Sequence, residues 1–292
     1  MTQTQADIRA TPILRAAQGP ILTSVARAPI GVFDSGVGGL SVWKHLRATL
    51  PHEDFIYVAD NINSPYGDKS ESWIQARMVQ MFDWFVAQGC KAIVIACNTA
   101  TAAAATHLRG MYPDVFIVGL EPAIKPALAL TKHKTIAVLA TAGTVSSAKY
   151  AALLQRTVLP ELNVNVLSIP CVGLAERIDA GEADNPDTLG LIANYLEAVK
   201  KANVDVVVLG CTHYPFVVQH FRALLNEHVK IIDSGAPVAR YTKDVLSARE
   251  GLNPKNEKGS SQWYASYITP DTNARWAMLT GEQDVHVQKI TL

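Results

Sequence analysis

The chain has 292 residues, more than the about 100 to 200 expected of one domain, so one large or two medium α/β-sized units are expected, with two as the first choice. Hydrophobic residues make up 49% and charged residues 18%, which excludes a disordered chain and supplies ample material for a core. Lys plus Arg number 26 and Asp plus Glu also 26, so the basic excess of a dedicated nucleic-acid binder is missing and a small-molecule ligand is favoured.

Residues 1–29 carry Arg9, Arg15 and Arg27 against a single acid, Asp7, without the continuous apolar stretch of a secretory signal, and nothing later approaches a membrane span. This leader is expected to be a disordered extension, with an organelle-targeting peptide as the alternative. From there on, short apolar runs recur at 30–33, 55–58, 92–96, 115–119, 136–140, 164–169, 204–210 and 229–232, each closed by small or polar residues and followed by a helix-like segment. That alternation predicts parallel sheets flanked by helices. Over 70–88, Trp73, Arg77, Met81 and the pair Trp84 and Phe85 fall at three- or four-residue spacing, which predicts a helix with Ser70 as its N-cap. The strand and turn at 31–35 resembles that at 137–141, and 93–99 resembles 206–213. Either two lobes share one plan, or this echo is the repetition found in any α/β protein. The first reading puts Cys97 and Cys211 at matching positions, facing across one cleft.

In open parallel sheets ligands gather at the carboxyl ends of strands, so the residues just after each strand carry the interest. The first tip reads Phe33-Asp34-Ser35-Gly36-Val37-Gly38-Gly39-Leu40, a polar pair followed by glycines that let the backbone close tightly before a helix. It lacks the GxGxxG spacing of a dinucleotide loop, since Ser41 stands at the third position; capping of the helix by Asp34 and Ser35 is the commoner duty. After the third strand, Ala96-Cys97-Asn98-Thr99 sets a thiol at a helix N-terminus, where thiolate is favoured, its pKa is expected to fall, and the sulfur becomes a usable base or nucleophile. A small buried cysteine under a cap is the alternative. Leu209-Gly210-Cys211-Thr212-His213-Tyr214-Pro215 repeats the arrangement with an imidazole two residues on. His213 is weakly placed as a metal ligand and better placed to exchange protons with Cys211 or a substrate. Cys90, before a strand, and Cys171, after Pro170, are assigned to packing. Four scattered cysteines without a CxxC pair argue against disulfides and structural zinc and for a cytoplasmic, reducing setting.

Two thiols on opposite faces of a prochiral carbon permit inversion: one thiolate removes the α-proton and the other thiol delivers one from behind. Charge builds beside the substrate carboxylate, so oriented amides with Ser35, Asn98, Thr99 and Thr212 are suitable donors. With these residues in view, the chain resembles the glutamate racemases of the cofactor-independent aspartate/glutamate racemase superfamily. The resemblance spans roughly residues 30–240 and rests on the run from Gly31 to Leu40, Pro65-Tyr66-Gly67, Ala96-Cys97-Asn98-Thr99, Glu121-Pro122-Ala123-Ile124-Lys125-Pro126, Gly210-Cys211-Thr212-His213-Tyr214-Pro215 and Asp233-Ser234-Gly235.

The resemblance implies that Cys97 acts as base on D-glutamate and Cys211 on L-glutamate, with Asp34 assisting Cys97 and His213 assisting Cys211. Substrate contacts then fall on Asp34, Ser35, Tyr66, Gly67, Asn98, Thr99, Thr212 and His213. It further implies two similar α/β lobes with mainly parallel sheets and the site in the cleft between them, no cofactor and no metal, and D-glutamate made for peptidoglycan, hence cell wall and cell shape. No membrane and no obligatory nucleic acid enter this picture, and a homodimer is compatible with it. The expected division is a leader over 1–29, a first lobe over 30–117 plus 233–292, and a second over 118–232. One departure stands out: a glutamate proposed as an auxiliary acid in relatives corresponds to Asp179, with the same charge on a shorter side chain. Residues beyond about Arg249 follow the pattern poorly. The competing readings are an aspartate or related amino-acid racemase, a thiol hydrolase using Cys211 and His213 alone, and a non-catalytic two-lobed binding protein.

Overall fold

The computed structural model describes residues 23–292. The first four strands are β1 (Ile30–Asp34), β2 (Phe55–Ala59), β3 (Ala92–Ile95) and β4 (Phe116–Gly119), and the next four are β5 (Thr135–Ala140), β6 (Asn165–Pro170), β7 (Val206–Leu209) and β8 (Lys230–Asp233). Two more, β9 (Ser261–Ala265) and β10 (Val287–Lys289), follow near the C-terminus. They form a six-stranded sheet in the order β10-β9-β2-β1-β3-β4 and a four-stranded sheet in the order β6-β5-β7-β8, every pairing parallel. Parallel strands need helices over both faces, which is why β1, β2, β3 and β7 are buried along their whole length and read as unbroken apolar runs.

The two sheets repeat one plan, since β2-β1-β3-β4 maps onto β6-β5-β7-β8. The match extends to the strand tips: Ala96 N–H donates to the Phe33 carbonyl at 2.7 Å in one lobe, and Gly210 N–H to the Leu139 carbonyl at 2.7 Å in the other. The strand order switches between β1 and β3 in the first sheet and between β5 and β7 in the second, and such a switch point is where α/β folds open a crevice. The crevices therefore lie beyond β1 and β3, where Cys97 follows, and beyond β5 and β7, where Cys211 follows.

The expected boundary at 117/118 falls inside β4, whose Val118 and Gly119 pair with Val94 and Ile95, while Asp233 pairs with Leu209 in the second sheet. β9 and β10 extend the first sheet beyond the repeated plan, and their segment packs Trp263 and Trp276 into the core around Trp43, with the Trp43 and Trp263 rings 4.7 Å apart. The helix Glu71–Ala87 begins as expected, with Ser70 Oγ accepting the Trp73 N–H at 3.2 Å. Of the leader, residues 1–22 lie outside the described residues. The rest corrects the expectation of disorder: Thr23–Ala26 is a short helix, Ala26 is buried, and its carbonyl accepts from Lys91 Nζ, which also bonds Glu53 Oε2 and the Gly251 carbonyl. Among the described residues no helix is long and apolar enough to cross a membrane.

Candidate active site

Cys97 is the N-cap of the helix Asn98–Met111, with extended backbone angles that aim its side chain at the helix start. Its Sγ accepts the Ala100 N–H at 3.4 Å and lies 3.5 Å from Ser35 Oγ at the tip of β1. Cys211 follows β7, and its Sγ lies 3.6 Å from His213 Nδ1. Both thiols are nearly covered, at 6% and 7% exposure, and both line a single cavity together with Ser35, Tyr66, Gly67, Asn98, Thr99, Thr212 and His213. The free volume there is about 20 Å³, room for little more than a water. A larger opening of about 600 Å³ beside it shares Asn98 and Thr144 but touches neither thiol. The small cavity is the chemically relevant one, because it brings polar and thiol groups of both lobes together.

The lobes meet through the glycines of the first tip. A Cβ on Gly36 would lie 2.6 Å from Asp179 Oδ2, and one on Gly38 would lie 2.4 Å from both Thr212 Oγ1 and His213 Nδ1. The glycine run is thus a landing surface for the second lobe. Nor are its amides free for a phosphate: Gly36 and Gly39 N–H groups both donate to Asp34 Oδ2, at 3.2 and 3.0 Å. Across the cavity, Gly143 approaches Gly67 so closely that a Cβ would stand 2.7 Å from the Gly67 carbonyl oxygen.

The polar neighbours of the two thiols differ. Burial pushes the Cys97 thiol up to about 12, the Asp34 charge adds to this, and the Ser35 hydroxyl and Ala100 N–H only partly oppose it. The expectation of a lowered Cys97 pKa is corrected here, because a helix N-terminus stabilises thiolate less than burial, partly in the apolar cluster of Phe33, Ile95 and Ala100, destabilises it. Asp34 is itself raised to about 6, chiefly by burial, against the pull of His213 and the two amides. For His213 burial acts downward, but the charge of Asp179, together with Cys211, holds the imidazole well above its ordinary value. Its Nε2 is 3.0 Å from Asp179 Oδ1, ion-pair contact without a well-aimed hydrogen bond. Asp179 in turn sits below the usual carboxylate range: burial would raise it, and His213, the Val37 N–H at 3.2 Å and the Ser64 hydroxyl at 2.9 Å outweigh that.

Most of the site residues expected from sequence lie on this cavity. Asp34 stands behind it, fully buried, 3.4 Å from Thr212 Oγ1 through Oδ1. Cys90 and Cys171 lie in apolar cores, where burial raises both thiols. The sequence reading missed Ser64, Thr141 and Thr144 on the cavity wall. Thr141 was open to inference, since it follows β5 as Ser35 follows β1. Thr141 Oγ1, Thr144 Oγ1 and Thr99 Oγ1 form a mutually bonded trio at 3.0 to 3.4 Å. Asn98 Oδ1 is buried without a partner, an acceptor left over for a ligand ammonium or hydroxyl.

Two thiols on equivalent strand tips of facing α/β lobes, with hydroxyls and amides around one cavity, form an arrangement that can exchange protons with both faces of one carbon. Comparison with known proteins gives the family. The chain belongs to the Asp/Glu/hydantoin racemase family, whose sequence model matches residues 30–242, so the resemblance read from the motifs is borne out. It is 50% identical over 261 residues to the glutamate racemase of Pseudomonas aeruginosa (strain UCBPP-PA14), covering 89% of this chain and 97% of that protein. Among solved structures it is similar to the glutamate racemase of Francisella tularensis in complex with D-glutamate, with TM-score 0.79, 29% identity and coverage of 91% of this chain and 98% of the other. It is also similar to the Escherichia coli enzyme in complex with L-glutamate and the activator UDP-MurNAc-ala, with TM-score 0.73, 31% identity and coverage of 87% and 92%.

Proposed function

We propose that this chain interconverts L-glutamate and D-glutamate by proton transfer between two thiols and the α-carbon, supplying D-glutamate for peptidoglycan in the cytoplasm. The observation that carries the reading is the shared cavity, with Cys97 entering it from the first lobe and Cys211 from the second. The relatives of known structure bound to D- and L-glutamate support the choice of substrate.

In this mechanism Cys211 thiolate takes the α-proton of L-glutamate: the Cα–H bond breaks, an S–H bond forms, and the electron pair stays on Cα beside the carboxylate. Cys97 then gives its own proton to the opposite face, and D-glutamate results. The reverse direction exchanges the roles. His213 exchanges protons with Cys211 through Nδ1 at 3.6 Å. Asp34 acts on Cys97 through its charge and through the tip it braces, where the Ser35 hydroxyl faces the sulfur. Ser35, Tyr66, Gly67, Asn98, Thr99, Thr212 and His213 hold the carboxylates and the ammonium. A substrate ammonium beside Cys97 offsets the burial that keeps this thiol protonated in the empty cavity, so the thiolate form becomes available on binding. Because glutamate cannot fit a space of about 20 Å³, the lobes separate to admit it and close over it. This reading requires no membrane, no obligatory nucleic acid and no cofactor, and it is compatible with a homodimer.

The test is racemisation of L-glutamate by purified protein without added pyridoxal phosphate, run in heavy water to follow deuterium at the α-carbon. Loss of either thiol, by Cys97→Ala or Cys211→Ala, is expected to slow it by about a thousandfold. Unchanged optical rotation with folded parent protein refutes the reading, as does full activity of Cys97→Ala, which is the hydrolase outcome. Aspartate tested in parallel separates the substrates.

A further inference from the structure

We propose that Arg275 is a positioning residue for the His213–Asp179 pair: it draws the end of a second-lobe helix against the first lobe, so that the short Asp179 side chain reaches the imidazole. This deepens the racemase reading and rests on it. Arg275 lies beyond residue 242, outside the region matched by the family model.

Arg275 belongs to the helix Thr272–Thr280, which is fixed to the first lobe by Trp276 in the core around Trp43. Its guanidinium reaches across the cleft, and its two terminal nitrogens donate to the carbonyl oxygens of Ile178 and Asp179. These are the last two residues of the helix Leu174–Asp179, where the carbonyl ends carry partial negative charge and a cation is favoured. Just past them, Gly181 takes a left-handed backbone at φ 81°, turning the chain away. The planar fork of arginine suits two neighbouring acceptors; a lysine ammonium would serve them less well.

The consequence falls on the Asp179 carboxylate, which touches His213 Nε2, the Val37 amide and the Ser64 hydroxyl. Two of those three partners belong to the first lobe. A one-methylene-longer glutamate would span the gap from further back, whereas aspartate must be brought close by its backbone. Arg275 is the group that holds that backbone, and it does so without touching the cavity. His213 itself faces Asp179, Cys211 and Asp34.

Full-length Arg275→Met, Arg275→Lys and the double variant Arg275→Met with Asp179→Glu test this. Arg275→Met is expected to lower kcat for glutamate about tenfold, the equivalent of one charge-assisted hydrogen bond, with a smaller change in KM. Arg275→Lys is expected to fall between the two. Adding Asp179→Glu is expected to restore most of the lost kcat, because the longer side chain regains the imidazole without the backbone grip. A merely structural arginine predicts a lowered melting temperature that the second substitution does not repair, and that result, or parental kcat in Arg275→Met, overturns the proposal. Titration of the His213 ring protons by NMR reports on the pair without turnover. A lower titration point in Arg275→Met supports the proposal and an unchanged one overturns it, even if the parent protein proves inactive on glutamate and the racemase reading alone fails.

Discussion

Asp34 offers the sharpest test of the electrostatics, because its carboxyl is raised from 3.8 to about 6, chiefly by burial. For a carboxyl group this sign means that ionisation costs the folded state. The cost is absent below about pH 4, grows as the pH rises through the window between the two values, and is complete above about pH 6. The size of that shift corresponds to about 3 kcal/mol. Asp34→Asn removes the ionisation while keeping the shape: its oxygen still accepts the Gly36 and Gly39 amides, and its NH2 group meets Thr212 Oγ1. The variant is therefore expected to gain stability relative to the parent by about 3 kcal/mol between pH 4 and pH 8, while racemisation falls about a hundredfold or more. Urea unfolding followed by tryptophan fluorescence is the assay, and Trp43, Trp263 and Trp276 lie in the core that also contains β1 residues of the same lobe. A stability difference that does not change with pH would refute the argument, since the cost of burying the Asp34 charge would then be nil.

Two further predictions concern packing. Gly143→Ala puts a methyl 2.7 Å from the Gly67 carbonyl oxygen and 3.0 Å from its Cα, backbone that cannot turn aside, so kcat/KM is expected to fall about tenfold at an unchanged melting temperature. Parental kinetics would show that the lobes need not close this far. Lys91→Met leaves Glu53 buried without its 2.5 Å partner and is expected to cost about 3 to 5 kcal/mol in chemical denaturation, with partial recovery on adding Glu53→Gln. If the double variant is no better than the single, the penalty lies in the lost bonds to the Ala26 and Gly251 carbonyls and not in the stranded charge.

Strands β1 to β8 were legible because a parallel sheet covered by helices favours apolar runs, and the residues after β3 and β7 stood out because a thiol followed by hydrogen-bonding side chains occurs at both tips. β9 escaped notice for the opposite reason: in Ser261–Ala265 only alternate residues, Trp263 and Ala265, are buried, and the segment falls beyond the recognisable blocks. The site was less legible where it depends on the meeting of lobes. The Cys97 pKa was expected from its own helix, yet it is set chiefly by burial among side chains brought together by the fold, with the Asp34 charge adding to it. Gly36 and Gly38 looked like a ligand loop, and their meaning is steric, toward Asp179 and His213. The function of Asp179 could not be read from its charge, because its reach is decided by Arg275, far along the sequence.

The repeat explains why two sulfurs oppose each other, and its imperfection explains what they can do. Two lobes of one plan are related by rotation, whereas the two faces of an α-carbon are related by reflection. A protein of L-residues can bring equivalent strand tips to both faces, but it cannot offer them mirror-image surroundings. The tips accordingly differ: Ser35 and Asp34 accompany Cys97, and His213 and Asp179 accompany Cys211. The enantiomers nevertheless have equal free energy, so kcat/KM must be the same from either side, and any change at one tip is felt equally by both directions in that ratio. What the asymmetry can shift is how the ratio divides into kcat and KM for each enantiomer. On the racemase reading, differences between L- and D-glutamate kinetics in variants at one tip therefore report how that tip treats the two bound enantiomers.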